Sequence, residues 1–511
     1  MGALQTVLTA IKGGFSWNID KGADRGELPG AGKHRRAYAA AAVDRLTASW
    51  TAANNSIDRE LRGDLDRLRA RSRQQSKDNE HVAQFLRLCA RNIAGPSGPR
   101  LIAAVEDAPG KPDSAANWAI EVWWADFCKA GSFDITGRLS GQDAFRLLAR
   151  TVARDGEVLL RHVVGQGRHG YQVQLLDINR LDTGYNIDPG GARNAVVMGV
   201  EVDSFQRPRA YWLRSTGGSP RERVPASEIL HAFLPTELEQ TRGVPWMHAA
   251  LHRLNDLSAY REAAIINARV GASKVGFYTR SPDTVQQPIG DEQTDGVNLV
   301  TSAEPGEFHE LPAGYNLESF NPAYPTEQYE VFHKAILRSI AAGMGTSYAS
   351  LSGDLESVNF SSIRAGLIDE RDEWRALQEW FVAAVVEPVY LRALRIALLK
   401  GTVRMANGSA LPAEKTEKFL DHRFQGRRWP WVDPVKDMQA NLLARQARLA
   451  SASMQAAEMG LDIEDVFADL QRERRLAEHY GVSLEDSGAA RPPAPGVSTP
   501  DDDTEQQGAN A

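Results

Sequence analysis

The chain of 511 residues has two cysteines, Cys89 and Cys128. One pair cannot make the disulfide framework of a small secreted domain, and so low a thiol count suits a reducing cytoplasm. Long apolar runs are missing as well. The most apolar stretch, "FVAAVVEPVYLRALRIALL" (Phe381–Leu399), is broken by Glu387, Arg392 and Arg395. A membrane span needs ~20 residues with few or no charges, so this stretch is expected as a soluble helix and no membrane is expected as a partner. The N-terminal "MGALQTVLTAIKGGFSWNID" is too polar beyond Ile11 for a secretory signal. Gly2 and Thr6 stand at myristoylation spacing, which alone is a weak pattern. There is no P-loop of the GxxxxGK type, so an ATP motor is not expected. There is no GxSxG elbow to raise a serine nucleophile, and no internal repeat. Global basicity is absent too: 59 basic residues stand against 66 acidic ones, a net charge of −7. Nothing in the overall balance therefore advertises a nucleic-acid partner.

What is present is the composition of a globular protein, 42% hydrophobic and 24% charged. At roughly 150 residues per domain this length allows two to four domains and a sizeable core. Charge is uneven. Residues 1–100 carry 17 Lys and Arg against 10 Asp and Glu, a net of +7, which leaves −14 for the remainder. Most such charge is solvated surface, though a basic end and an acidic remainder suit layered contacts.

Apolar spacing of three and four residues predicts helix over 34–94, with a break at "GPSGPR" (Gly95–Arg100). Further helices are expected over about 114–130, with Ser114 as N-cap, and over 141–155. The pattern then turns to short β-branched or alternating runs, "EVLLRHVV", "YQVQLLDI", "VVMGVEVDSFQRPRAYWLR" and "EILHAFLP", which predict a β-rich region over 157–235. Helix returns from Pro245 to Ala272, "KVGFYT" (Lys274–Thr279) reads as a strand, and a polar excursion leads to another helix with Thr326 as cap. A long helix is expected over about 361–400, roughly 60 Å at 1.5 Å per residue and kinked at Pro388. Its stripe is Ile363, Leu367, Trp374, Leu377, Phe381, Val385 and Val389. Residues 434–480 read as helical and rich in Ala and Arg, and the tail has the composition of disorder.

Several motifs offer chemistry. "GQGRHG" (Gly165–Gly170) is a literal GxGxxG, but it leads into a strand, with no helix N-terminus for a pyrophosphate. It is expected as a hairpin turn. His248 and His252 have the spacing of two metal ligands on a helix, yet Ala249 stands where HExxH needs glutamate. They are expected as ordinary helix histidines. "DERDEW" (Asp369–Trp374) offers four carboxylates, which are expected as a solvated helix face rather than a Mg²⁺ site. "RRWPWVDP" (Arg427–Pro434) is expected to anchor a loop rather than stack on bases. No catalytic residue, cofactor or metal ligand is expected from these motifs. The stretch "GMGTSYASLSGDLESVNFSSIRAG" (Gly343–Gly366) stands apart, because it interrupts two helical runs with glycine, serine and acid and has no Lys or Arg before Arg364.

Six stretches together resemble the portal proteins of tailed bacteriophages, specifically the lambda family. They are "ARDGEVLLR" (153–161), "LLDINRLDT" (175–183), "FLPTELEQTRGVPWMHAALHRLNDLSAYREAAIINARVGAS" (233–273), "EPGEFHELPAGYNLESFNPAYP" (304–325), "GTSYASLSGDLESVNFSSIRAG" (345–366) and "HRFQGRRWPWVDPVKD" (422–437). The resemblance implies an α+β, mainly helical portal fold whose subunits close into a homo-oligomeric ring, typically of twelve. On this chain it implies an N-terminal helical part of a wing (1–156), a β-rich wing domain (157–245), a stem helix (246–272), a clip (273–325) and a second stem helix (326–344). A tunnel loop (345–360), a long kinked helix (361–400), C-terminal wing and crown parts (401–485) and a disordered tail (486–511) complete it. The implied function is a conduit for double-stranded DNA at one capsid vertex in the virion, assembled in the host cytoplasm. The implied partners are terminase, major capsid and scaffold proteins, and head–tail connector proteins. The tunnel-loop residues facing DNA would be Ser347, Tyr348, Ser350, Ser352, Asp354, Glu356, Asn359 and Arg364. A polar to acidic lining suits transport, since tight phosphate contacts would grip the duplex. Gly343, Gly345 and Gly353 would let the loop shift. Two competing readings are a metal-dependent nucleic-acid enzyme using the "DERDEW" carboxylates and a non-ring capsid or neck component.

Overall fold

The computed structural model describes residues 54–190, 194–215, 220–272, 276–280, 315–319, 328–356, 360–429, 434–459 and 461–481. The expected helix over 34–53, most of the expected clip and the tail lie outside these residues.

The first helical run divides in two. Helix α1 (Ile57–Asp78) ends at Asn79, whose side chain accepts the N–H groups of His81 and Val82 and so starts α2 (Glu80–Cys89). An Asn at an N-cap satisfies orphan donors in this way. A π-turn over Ala90–Ala94 closes the run. Strands β1 (Arg100–Ala103), β2 (Glu106–Ala108) and β3 (Lys111–Pro112) follow. Helix α3 (Ser114–Phe127) is capped by Asp113, which accepts the Ala116 N–H, and not by Ser114 as expected. Helix α4 (Gly141–Asp155) has the expected bounds, with Ser140 capping its start and Gly156 stopping it in the left-handed region.

The β-rich region is as expected. Strands β4 (Glu157–Val164) and β5 (Tyr171–Leu176) form the hairpin closed by "GQGRHG", with Gly165 N–H donating to Gly170 O at 2.8 Å. Strands β6 (Ala195–Val197), β7 (Val200–Val202), β8 (Pro208–Leu213) and β9 (Glu222–Pro225) make an antiparallel meander. Strand β10 (Ile229–Phe233) returns to pair with β4, giving the order β10-β4-β5. Leu159, Leu181, Val200, Val202, Tyr211 and Leu213 form a small core of their own.

Helix α5 (Leu251–Ala272), the antiparallel pair β11 (Gly276–Arg280) and β12 (Tyr315–Ser319), and α6 (Gln328–Gly343) come next. Short α7 (Tyr348–Ser352) and long α8 (Phe360–Phe381) follow. A π-turn over Val382–Val386 joins α8 to α9 (Glu387–Lys400) without a break. Pro388 has no N–H to donate, so the turn before it must find another hydrogen-bonding pattern, and the π-turn lies there. Strand β13 (His422–Gln425) pairs with β1, residues more than three hundred positions apart. Helices α10 (Pro434–Gln446), α11 (Ala452–Met459) and α12 (Ile463–Tyr480) finish the described chain.

The main core lies where α3, α4, the sheet and α9 meet. Trp124 sits 5.3 Å from Tyr390 and 6.0 Å from Phe424, both edge-on. Such pairs contribute ~0.5–1.5 kcal/mol each beyond their burial. Trp374, Phe381, Val385 and Val389 from the expected stripe are buried in the same core. Both cysteines are buried and free.

Candidate functional site

Two constructions stand out, and each is made from stretches that carry the family resemblance. The first is the connection from α6 to α8. The chain leaves α6 at Gly343, turns through Gly345, and makes one and a half turns of α7. The Ser347 hydroxyl caps α7 by accepting the Ser350 N–H, and Gly353 ends it with φ +74°, a conformation that favours glycine. Gly343 is thus helical, and Gly353 is a stop signal.

The connection is held by one carboxylate. Glu370 of α8 accepts hydroxyl bonds from Thr346 at 2.9 Å, Ser347 at 2.7 Å and Ser350 at 2.7 Å. The Trp374 indole N–H donates to it at 3.2 Å. Glu370 is buried while Asp369, Asp372 and Glu373 are exposed. The expectation of a solvated face for "DERDEW" therefore fails at Glu370. Its side chain points inward because four donors replace its water shell.

The expected channel residues divide by what they touch. The Ser347 and Ser350 hydroxyls turn to Glu370, and the Ser352 hydroxyl donates to Tyr348 O at 2.7 Å. The Tyr348 hydroxyl donates to Asp354 at 2.8 Å, and the Arg338 guanidinium lies 5.4 Å from the Tyr348 ring centroid. Asp354 also lies 3.6 Å from Lys334. The Glu356 N–H and Tyr348 hydroxyl bonds hold the Asp354 carboxyl below its usual range. Leu355 and Glu356 are exposed. Asn359 and the Arg364 side chain lie outside the described residues.

The second construction joins "RDGE" (Arg154–Glu157) to "RGVPW" (Arg242–Trp246). Gly156 has φ +89°, and a Cβ there would lie 2.3 Å from Val244 C. A Cβ at Gly243 would lie 2.2 Å from Gly156 O. Two backbones cross in contact, so both positions require glycine. Glu157 is fully buried beside this crossing. Arg242 reaches it at 2.6 Å, Arg69 at 2.5 Å and His231 at 2.7 Å, and the Gly243 N–H donates to it at 3.0 Å. Burial pushes its pKa up, but Arg242, His231 and Arg69 outweigh that and hold it well below the usual carboxylate range. Asp155 next to it is paired with Arg73 at 2.7 Å and Arg154 at 2.8 Å. Sequence reasoning found the two motifs but missed Arg69 and Glu370. Arg69 occupies a three- or four-residue step of the buried α1 stripe Leu61, Leu65, Arg69, Ser72 and Ser76, which is the signal that was available.

The family model describing lambda-family phage portal proteins matches residues 43–378, a span that contains both constructions. The chain belongs to the lambda family of phage portal proteins. It is 33% identical over 474 residues to the probable portal protein of Halomonas phage phiHAP-1, covering 89% of this chain and 90% of that one. It is 22% identical over 478 residues to portal protein B of Escherichia phage lambda, covering 83% and 86%. Among solved structures, chains from the neck of an empty gene transfer agent particle and from the virion of a native one align at 17% identity with TM-scores of 0.42 and 0.41, each covering 77% of this chain and 93% of the other.

The remaining candidates of this portal chain find local partners. His248 Nδ1 is 3.0 Å from Pro245 O, whereas His252 Nδ1 is 2.9 Å from Asp256, so the two imidazoles do not converge. Trp429 packs on the core with Arg371 and Arg427 at 5.9 and 5.7 Å from its ring, which supports the anchoring role expected of "RRWPW". Trp431 lies outside the described residues. Among these residues no helix is long and apolar enough to cross a membrane.

Proposed function

We propose that this portal protein closes with further copies of itself, twelve in number, into a ring at one capsid vertex. The ring passes double-stranded DNA during packaging and ejection and docks terminase and the head–tail connector proteins, with no catalysis of its own. Family membership supports the conduit. The observation that carries the ring is the uncovered apolar side of α5 and α6. Among its described side chains α5 buries only Leu251, Leu254, Leu257 and Ala264, while Ile265 and Ile266 are 50% exposed and Val331 of α6 is 71% exposed. Leu442, Leu443, Leu449 and Phe467 of the C-terminal helical region are likewise exposed. Apolar surface on this scale suits a neighbouring subunit. Repetition of a heterologous contact closes a ring when the rotation permits.

In this reading α5 and α6 are the stem, the segment between them is the clip, and the α7–α8 connection faces the bore. The serine hydroxyls are spent on Glu370 and on the turn itself, so Asp354, Leu355 and Glu356 present the lining. An acidic, apolar lining does not clamp phosphates. Mass photometry should find a particle near twelve times 56.1 kDa, and negative-stain images should show a central hole. A monomer or a solid oligomer refutes the ring. Replacing Asp354 and Glu356 together by lysine should slow packaging by drawing phosphates onto the lining, and an unchanged packaging yield refutes the placement.

A further inference from the structure

A second region of the surface has the features of a binding site. A cavity of about 540 Å³ lies between α3, the β4–β5 turn and the segment after α9. Ala119, Val122 and Trp123 give it an apolar wall, and Lys129, Arg168 and Arg404 stand around it. Asp126 is the one acid in the lining, and it is already bound by Arg168 at 2.8 Å and Lys129 at 3.0 Å. The excess is therefore positive. Two lining side chains are 97% buried, Trp123 and His169. Among the described residues neither the Trp123 indole N–H nor His169 Nδ1 has a hydrogen-bond partner. His169 Nε2 lies 3.3 Å from Asp126. Burial, with Arg168 adding to it, lowers the His169 pKa despite Asp126, which leaves a neutral imidazole. Buried polar groups are normally satisfied, so the Trp123 indole N–H in the wall of a cation-rimmed cavity stands out as a donor without an acceptor.

We propose that this cavity binds carboxylates of the chain's own C-terminal segment, Asp501–Glu505, from the same subunit or a neighbouring copy. That segment has Asp501, Asp502, Asp503 and Glu505 within five positions, and no Lys or Arg follows Arg491. The charges are complementary, and the carboxylates meet the rim cations Lys129, Arg168 and Arg404 in charge-assisted hydrogen bonds. A duplex fits less well, because phosphates are met by cations on an open track and not by a cavity with an apolar wall. The reach is sufficient. Helix α12 is tied at its start by Arg423 of β13 to Asp462 at 3.3 Å. The neighbouring Phe424 packs on Trp124 of α3, beside the cavity wall. From there α12 runs about 27 Å to its end, and the twenty residues from Gly481 to Asp501 span at most ~70 Å.

A crosslink in the full chain tests this. Val122→Cys lines the cavity, Phe205→Cys is an exposed control on the β7–β8 turn, and each is combined with Asp502→Cys. The native thiols are buried and contribute little. With diamide as oxidant, the Val122→Cys pair should form its disulfide at least 5-fold more than the control pair, as read by non-reducing gels and peptide mass spectrometry. The excess should vanish with Arg168→Ala and Arg404→Ala added, and should fall at 0.5 M salt. Circular dichroism of each variant confirms folding. Equal yields at the two positions overturn the assignment, and so does an excess that survives loss of both arginines. The outcome does not depend on whether the ring forms, since intra- and intersubunit disulfides are separated by mass.

Discussion

Removing the carboxylate of Glu370 should loosen the α7 connection and leave the rest of the chain intact. A carboxylate offers about four acceptor sites, and here Thr346, Ser347, Ser350 and Trp374 take all of them. In Glu370→Gln the indole N–H cannot reverse its role, so the amide oxygen must stay toward Trp374 and Thr346. The amide NH₂ then faces the Ser347 and Ser350 hydroxyls, which must rotate to accept. All four bonds lose their charged partner, which the relief of a buried charge partly offsets, for a net loss of about 2 kcal/mol. Glu370→Ala strands a buried indole N–H and a buried Thr346 hydroxyl as well, for about 3–5 kcal/mol. Each 1.4 kcal/mol is a factor of ten in the opening equilibrium, so amides of residues 345–356 should exchange roughly 30-fold faster in the Gln variant and faster still in the Ala variant. Hydrogen-exchange mass spectrometry reads this directly, with α3 and α4 as internal controls. Unchanged exchange over 345–356 in Glu370→Ala, or an equal acceleration in α4, refutes the anchor.

Gly156→Ala and Gly243→Ala should each destabilise the fold by more than ~4 kcal/mol, because the added Cβ meets backbone that cannot yield. Urea unfolding of whatever fraction stays soluble measures it. Acid should act through Glu157, whose pKa is depressed in the folded state: its contribution is full above the unfolded value of roughly 4.3 and is lost as pH falls through the lower folded value. Thermal melts should therefore decline below about pH 4, and Glu157→Gln should flatten that decline while lowering stability at pH 7. Burial pushes both cysteine thiols up and shields them, so maleimide should leave Cys89 and Cys128 unmodified in the native protein and label both in guanidinium.

Local order was readable from the residues alone. The 3.6-residue period, a serine at 140 and a glycine at 156 set the bounds of α4, and turn chemistry made "GQGRHG" a hairpin rather than a nucleotide loop. The absence of long apolar runs removed the membrane-span reading of Phe381–Leu399. Six stretches, read together, carried the resemblance to the family. These signals are legible because they depend on neighbours a few positions away. The tertiary structure decided what the inward faces meet. Periodicity placed Arg69 on the buried side of α1, but only folding brings it to a carboxylate 88 positions on, together with Arg242 and His231. A run of four acids on a helix reads as solvent-facing, since isolated charges are costly to bury. Glu370 escapes that rule because the chain supplies three hydroxyls from residues 346–350 and an indole from Trp374. Desolvation is a penalty charged by sequence type, whereas its compensation depends on which distant groups arrive, and that is a property of the folded chain alone.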